Sequence, residues 1–228
     1  MEYLQNGYVL DIPAGCFPLS TDSMVLADFT KLPKNARVLD LGAGCGTLGM
    51  LLCAKDSDCT VTGIELDRAA HDAALQNATS NGIQNRYNNI CADLCDIESL
   101  VKAGAYQVCV SNPPYFTGGF TSQTHGAARQ EQSCTLDSLF RAAAWALQWG
   151  GDFFIVHKPE RLAQLCACAA KYGLEPKILR LLRHRADAPV SLILVQCRKG
   201  GKPGLVWQER SLYEADSTPS AYFNSVYH

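Results

Sequence analysis

Short apolar runs, the first four closed by a glycine, an acid or an amide, alternate along the chain with longer stretches whose apolar residues recur at helical spacing. Ala36-Arg37-Val38-Leu39-Asp40-Leu41 reads as a first buried strand, and Gly42-Ala43-Gly44-Cys45-Gly46 follows it as a turn into an apolar helix over residues 47–54. Residues 59–65 read as a second strand ending on Glu65, residues 68–81 as an alanine-rich helix closed by Gly82, and residues 88–92 as a third strand ending at Asp93. A short helix over 96–102 leads to a fourth strand, 106–111. Beyond it the pattern predicts a helix over 136–147, a fifth strand over 151–156, and a helix bracketed by Pro159 and Gly173. Residues 177–182 and 190–198 read as two last strands forming an antiparallel hairpin edge. Strands and helices alternating at this spacing imply parallel βαβ units in a twisted sheet covered on both faces.

Three segments stand outside that rhythm. Residues 1–30 read as an irregular or hairpin segment followed by a helix capped near Ser20. Residues 116–133 are polar and glycine-containing without apolar periodicity, the signature of a loop that binds something. Residues 204–228 hold Trp207, Tyr213, Tyr222, Phe223 and Tyr227 but fit no single element.

Composition narrows the class. At 228 residues and 47% hydrophobic content the chain fits one domain, residues 1–228, with enough apolar mass for its core. No run approaches the roughly 18 apolar residues of a membrane span. The first six residues lack the basic start and apolar centre of a signal peptide, so a cytoplasmic protein is expected. Eleven cysteines, an odd number set mostly in apolar runs and without a Cys-x-x-Cys pair, read as small core residues rather than disulfide partners or metal ligands, and no metal site is expected. A net charge of -2 argues against a uniformly basic nucleic-acid binder and leaves room for a local basic face.

Candidate chemistry gathers at the strand ends. A glycine turn between strand and helix lets a ligand approach backbone and helix N-terminus, and an acid ending the next strand can hold ribose hydroxyls. Thr47 stands where the nicotinamide fingerprint needs a glycine or alanine, so the turn is not that fingerprint. Asp40-Leu41-Gly42-Ala43-Gly44-Cys45-Gly46 instead resembles the first motif of class I S-adenosylmethionine-dependent methyltransferases. The resemblance implies a Rossmann-like, mostly parallel seven-stranded sheet with an antiparallel C-terminal hairpin edge. It implies S-adenosylmethionine as cofactor, leaving as S-adenosylhomocysteine. It assigns Asp40, Gly42, Gly44 and Gly46 to the cofactor turn, Glu65 to the ribose, and Asp93 to the adenine amino group, with Leu66 and Leu94 beside those acids.

After the fourth strand comes Asn112-Pro113-Pro114-Tyr115, which resembles the catalytic motif of the amino-group methyltransferases of this class. Proline fixes its own φ and restrains the residue before it, so this stretch is a stiff platform. The resemblance implies that the side-chain oxygen of Asn112 and the main-chain oxygen of Pro113 accept the two N–H groups of a conjugated amine, that Tyr115 stacks on its plane, and that Asn112 also borders the cofactor. The segment from Gly15 to Phe29, with Ala128-Arg129-Gln130-Glu131 and Lys158-Pro159-Glu160-Arg161-Leu162, is similar to compact bacterial tRNA adenine-N6 methyltransferases acting beside the anticodon. That similarity places Thr21 and Asp22 over the methionine end of the cofactor and makes tRNA the expected partner of a monomeric enzyme. Phe116, Arg129, Arg183, Arg185 and Lys199 are candidate substrate contacts, with 116–133 as substrate loop. Glutamine methylation of a release factor, or amino methylation of rRNA or DNA, uses the same platform and stays open as an alternative.

Overall fold

The computed structural model describes residues 2–4, 7–14, 16–114 and 135–227. Tyr115, Phe116, Arg129 and the substrate loop 116–133 lie outside the described residues. A two-stranded hairpin, β1 (Glu2–Tyr3) and β2 (Val9–Leu10), precedes α1 (Thr21–Phe29). The main run is β3 (Arg37–Leu41), α2 (Thr47–Lys55), β4 (Thr60–Glu65), α3 (Arg68–Ser80), β5 (Tyr87–Cys91), a 3-10 turn (Leu94–Asp96), α4 (Ile97–Leu100) and β6 (Tyr106–Ser111). It continues as α5 (Leu136–Ala146), β7 (Leu147–His157), a 3-10 turn (Pro159–Arg161), α6 (Leu162–Lys171), β8 (Leu174–Arg185), β9 (Val190–Lys199), β10 (Val206–Tyr213) and α7 (Ala221–Tyr227).

Local chemistry starts these helices where the sequence places them. Ser20 Oγ accepts the N–H of Ser23 to cap α1, an Asp67 carboxylate oxygen accepts from Ala70 N–H to cap α3, and Thr135 Oγ1 accepts from Ser138 N–H to cap α5. Gly82, at φ 67°, ends α3 in the left-handed conformation that a side chain would resist.

The strands form one eight-stranded sheet in the order β10-β8-β9-β7-β6-β3-β4-β5. The strands β7, β6, β3, β4 and β5 are mutually parallel, β9 is antiparallel to both neighbours, and β10 lies parallel to β8 at the edge. The seven expected strands are all present, with the β8–β9 hairpin antiparallel as expected; β10, from the unassigned tail, adds an eighth outside it. Alternation along each strand divides the core into two layers. Val38, Val108, Val110, Phe154, Val156 and Leu194 face α1, α2, α3 and α7, whereas Leu39, Cys109, Phe153, Ile155 and Val195 face α4, α5 and α6.

The chain enters the sheet at β3, runs outward through β4 and β5, then returns to β6 on the other flank of β3. The C-terminal ends of β3 and β6 therefore bound a topological switch point, where open α/β sheets bind their ligands.

Candidate active site

The glycine turn leaves β3 at this switch point. Gly42, Gly44 and Gly46 have φ of 78°, 54° and 83°, a region open to glycine and costly to other residues. A Cβ at Gly42 or Gly44 would meet no atom within 4 Å, so those two positions border open space, whereas one at Gly46 would come within 2.9 Å of the Tyr87 hydroxyl. The turn is pinned to the neighbouring strand, with Gly42 N–H and Ala43 N–H both donating to the Ile64 carbonyl at 3.0 Å. Glu65, buried at the end of β4, accepts from Gly44 N–H through Oε2 at 2.8 Å and from Asp67 N–H through Oε1 at 2.7 Å. Its carboxylate thus faces the turn where a ribose diol would lie.

Asp40 sits one strand over, fully buried. Burial, and secondarily the negative charge of Glu65, push its carboxyl up to about 7, while Gly49 N–H pulls the other way. Asp93 stands at the C-terminal end of β5, half-buried, with one carboxylate oxygen accepting from Cys95 N–H at 2.8 Å. Leu66 is partly exposed beside Glu65, and Leu94 is buried next to Asp93. The residues thus present two acids at neighbouring strand ends, an apolar rim and a side-chain-free cradle. This donor set fits a nucleoside-bearing cofactor.

The other lip of the switch point belongs to β6. Its register pairs Asp40 with Val110, so Asn112, just past the end of β6, leaves the sheet at the same end as the glycine turn. Ser111 Oγ donates to the Leu41 carbonyl at 2.7 Å, tying the platform to the start of the turn. Asn112 Nδ2 donates to Ser23 Oγ of α1 at 3.0 Å. The half-buried amide is therefore held between the sheet and α1, directly before buried Pro113 and half-buried Pro114.

A family model described as the methyltransferase small domain matches residues 19–165, from the start of α1 to the start of α6. This chain belongs to that family. Among named relatives, the tRNA1(Val) (adenine(37)-N6)-methyltransferase of Photobacterium profundum is 28% identical over 187 residues, covering 80% of this chain and 78% of its own length. The protein of the same name from Shewanella amazonensis is 37% identical over 127 residues, covering 55% of this chain and 53% of its own. The fold resembles a predicted O-methyltransferase from Agrobacterium tumefaciens, with TM-score 0.73, 21% identity and 90% and 95% of the two chains covered. It also resembles the geranyl diphosphate C-methyltransferase of Streptomyces coelicolor solved with S-adenosyl-L-homocysteine, at TM-score 0.58 and 13% identity over 78% and 76% of the chains.

In this methyltransferase small domain the remaining sequence candidates separate by end of the sheet. Thr21 and Asp22 open α1, and Thr21 Oγ1 accepts from the Tyr227 hydroxyl of α7 at 2.9 Å. A cavity of about 480 Å³ adjoins that turn, lined by Leu19, Ser20, Thr21, Met24 and Tyr227 together with the β1 hairpin. Arg183 and Arg185 stand at the C-terminal end of β8, on the same edge as Asn112, where Arg185 pairs with Asp187 and Arg183 Nη1 donates to the Ala188 carbonyl. Lys199 stands apart from them. Because β9 runs antiparallel, its last residue lies at the opposite edge of the sheet, where Nζ donates to the Leu147 carbonyl at 2.7 Å, away from the platform.

Other neighbours of the site escaped the sequence reading. Asn77 of α3 donates to the Cys45 carbonyl in the glycine turn and exchanges two hydrogen bonds with the backbone of Asp11. Asn81 does the same with Val9, so α3 straps the N-terminal segment beside the turn. Cys16 of that segment packs against Cys45. Two asparagines four apart on one helix face were the available signal. Among the described residues no cluster of His, Cys, Asp and Glu converges as a metal site.

Proposed function

We propose that this protein is an S-adenosylmethionine-dependent N-methyltransferase that methylates the exocyclic N6 of an adenine in tRNA, in the anticodon loop. The observation that carries the reading is the placement of Asn112, preceding two prolines, across the switch point from an acid-bearing glycine turn. The names of the relatives support adenine in tRNA as the acceptor.

Gly42, Gly44 and Gly46 would cradle the cofactor beside Asp40, Glu65 would take its ribose hydroxyls, and Asp93 with the Leu94 backbone would take its adenine, flanked by Leu66. Thr21 and Asp22 would cover its amino-acid end. The cofactor supplies a methyl group already activated on a sulfonium. What the chain must supply is a usable nucleophile, because the lone pair of an aromatic amine is delocalised into its ring. Two acceptors, Asn112 Oδ1 and the Pro113 carbonyl, would draw both N–H bonds out of the ring plane and leave the lone pair pointing at the methyl. Tyr115 would set the height of the base. These are orientation and electrostatic effects and need no dedicated base.

An anticodon-loop adenine is single-stranded and turns out of its stack at small cost. Arg183 and Arg185, on the edge shared with the platform, would meet phosphates, as would Arg129 from the substrate loop, while Phe116 would offer a ring for the turned-out base to stack on. All described strands but the β1–β2 pair join one sheet, which supports a single methyltransferase domain over 1–228. Among the described residues no helix is long and apolar enough to cross a membrane. A tRNA acceptor would be met in the cytoplasm, and we propose that the enzyme acts there as a monomer.

Transfer of labelled methyl to bulk tRNA, a release factor and duplex DNA in parallel tests the reading. Label is expected in tRNA alone, recovered as N6-methyladenosine after nucleoside digestion. Asn112→Ala is expected to lower turnover by about a hundredfold or more with cofactor affinity nearly intact. Label confined to protein or DNA overturns the assignment.

A further inference from the structure

We propose that the cavity between β1 and α7 is a nucleobase subsite, taking the unpaired base next to the target adenine in the RNA. The inference rests on the RNA reading above, and it gives the aromatic residues of the C-terminal segment, which that reading leaves unused, a part in holding the acceptor.

The opening turn of α1 is a wall of both places. Ser23 Oγ lies 3.0 Å from Asn112 Nδ2, while Ser20, Thr21 and Met24 line the cavity. The cavity therefore opens within one turn of α1, about 5.4 Å of rise, from the residue that touches the platform. Its volume of about 480 Å³ falls in the range of small-ligand sites.

The lining selects the class of occupant. Tyr3, 78% exposed, and half-buried Tyr227 bring two rings, Leu19 and Met24 an apolar wall, and Ser20 and Thr21 hydroxyls that can donate to or accept from the edge of a base. No charged side chain lines it among the described residues, so a free phosphate or a metal ion finds no counter-charge there. A planar ring with a polar rim matches this lining, and stacking on tyrosine holds a base whatever its identity.

The rings behind Tyr227 show where the RNA backbone would run. Tyr227 stacks on Phe223 at 4.5 Å with 22° between the planes, Phe223 meets Tyr213 at 5.1 Å, and Tyr213 meets His184 at 5.1 Å. This file backs Tyr227, whose hydroxyl is bonded to Thr21 Oγ1 at its other end. The far end of the file opens on a smaller cavity, about 230 Å³, lined by His184, Arg185 and Tyr213. A base in the first cavity and a phosphate at this basic end would lie along one edge of the molecule. Stacking rings beside cations are what a single strand of nucleic acid requires.

Steady-state methylation of an anticodon stem-loop by wild type, Tyr3→Ala and Tyr3→Phe tests this, with an abasic residue placed in turn on either side of the target adenine. Tyr3 is exposed and stands outside the platform, so the melting temperature should stay at the wild-type value. Tyr3→Ala is expected to raise KM for the RNA about tenfold, the order of one base–aromatic stack, with kcat and cofactor KM within about twofold. Tyr3→Phe, which keeps the ring, should stay near wild type. One of the two abasic RNAs should show the same loss with wild type and no further loss with Tyr3→Ala. An unchanged RNA KM in Tyr3→Ala, or additive losses from the two changes, overturns the proposal. So does a loss in cofactor KM instead, which would give the cavity to the cofactor. If wild type and Tyr3→Ala methylate the stem-loop equally well, the subsite alone fails; if wild type methylates no RNA, the tRNA reading fails and the subsite with it.

Discussion

Asp40 is a carboxyl group with one oxygen, Oδ2, buried and unmatched by any hydrogen-bond donor among the described residues. Burial and the nearby Glu65 raise its pKa from 3.8 to about 7. Between those values the folded chain holds a proton that the unfolded chain has released. Stability from this group is therefore complete below about pH 4 and is lost as pH rises toward 7, by an amount on the order of 4 kcal/mol. His157 has the opposite sign: burial, then Arg161 and Lys158, lower it to about 4, so its contribution is lost as pH falls from 6.5 toward 4. Comparison with Asp40→Asn cancels the histidine. We expect the cofactor-free wild type to lose roughly 5 °C or more of melting temperature relative to Asp40→Asn between pH 5 and pH 8. Parallel melting curves for the two proteins across that range would show that Asp40 stays ionised throughout. At this scale the sequence made the glycine turn and the position of Glu65 legible, because both are written in local backbone and in the strands they follow or end. Ser23 and Asn77 were not legible, since each acts on a residue 89 or 32 positions away that only the fold brings near.

Among the elements, α1 and α7 behave as one clamp on the platform, joined at both ends. Near the site, Tyr227 reaches Thr21; away from it, Arg180 of β8 is nearly buried between Asp28 of α1, Gln208 of β10 and the Tyr222 hydroxyl of α7. Its guanidinium also lies 4.7 Å from the centre of the Phe29 ring. The Asp28 side chain is 32% exposed, so removing its partner, with the bonds to Gln208 and Tyr222, costs on the order of 1–2 kcal/mol. Arg180→Ala should therefore lower global stability by that order in urea titration. Limited proteolysis should also cut the C-terminal segment faster than in wild type, and an unchanged cleavage rate would show that α7 holds without it. The pairing of β10 explains why the tail resisted sequence reading. An edge strand packs on one side only, so Gln208, Glu209, Arg210 and Ser211 interrupt the apolar alternation that revealed the inner strands. Those inner strands were legible to within a few residues at each end, because burial on both faces demands continuous apolar sequence.

Across the whole molecule, strand direction sorts the basic residues that composition alone could not sort. With a net charge of -2 the protein has no general attraction for RNA, so the proposed tRNA contacts would have to come from cations gathered on one edge. Parallel β8 brings Arg183, His184 and Arg185 to the edge carrying Asn112, and antiparallel β9 takes Arg198 and Lys199 to the other, where Arg198 is engaged by Asp152. In the sequence Arg183, Arg185 and Lys199 were candidate contacts alike, each near a strand end. The sheet makes them unequal, and an experiment can weigh them. If tRNA lies across the platform edge, log affinity should fall linearly with log salt, with a slope reporting the phosphates neutralised. Replacing Arg183 and Arg185 together by Ala should weaken tRNA binding and flatten that slope by about one to two. Replacing Lys199 by Ala should leave both unchanged, apart from any loss of stability from uncapping Leu147. Because the two variants remove charge from opposite ends of one sheet, a larger effect at Lys199 would place the RNA on the far edge and separate it from the amide that has to meet its adenine.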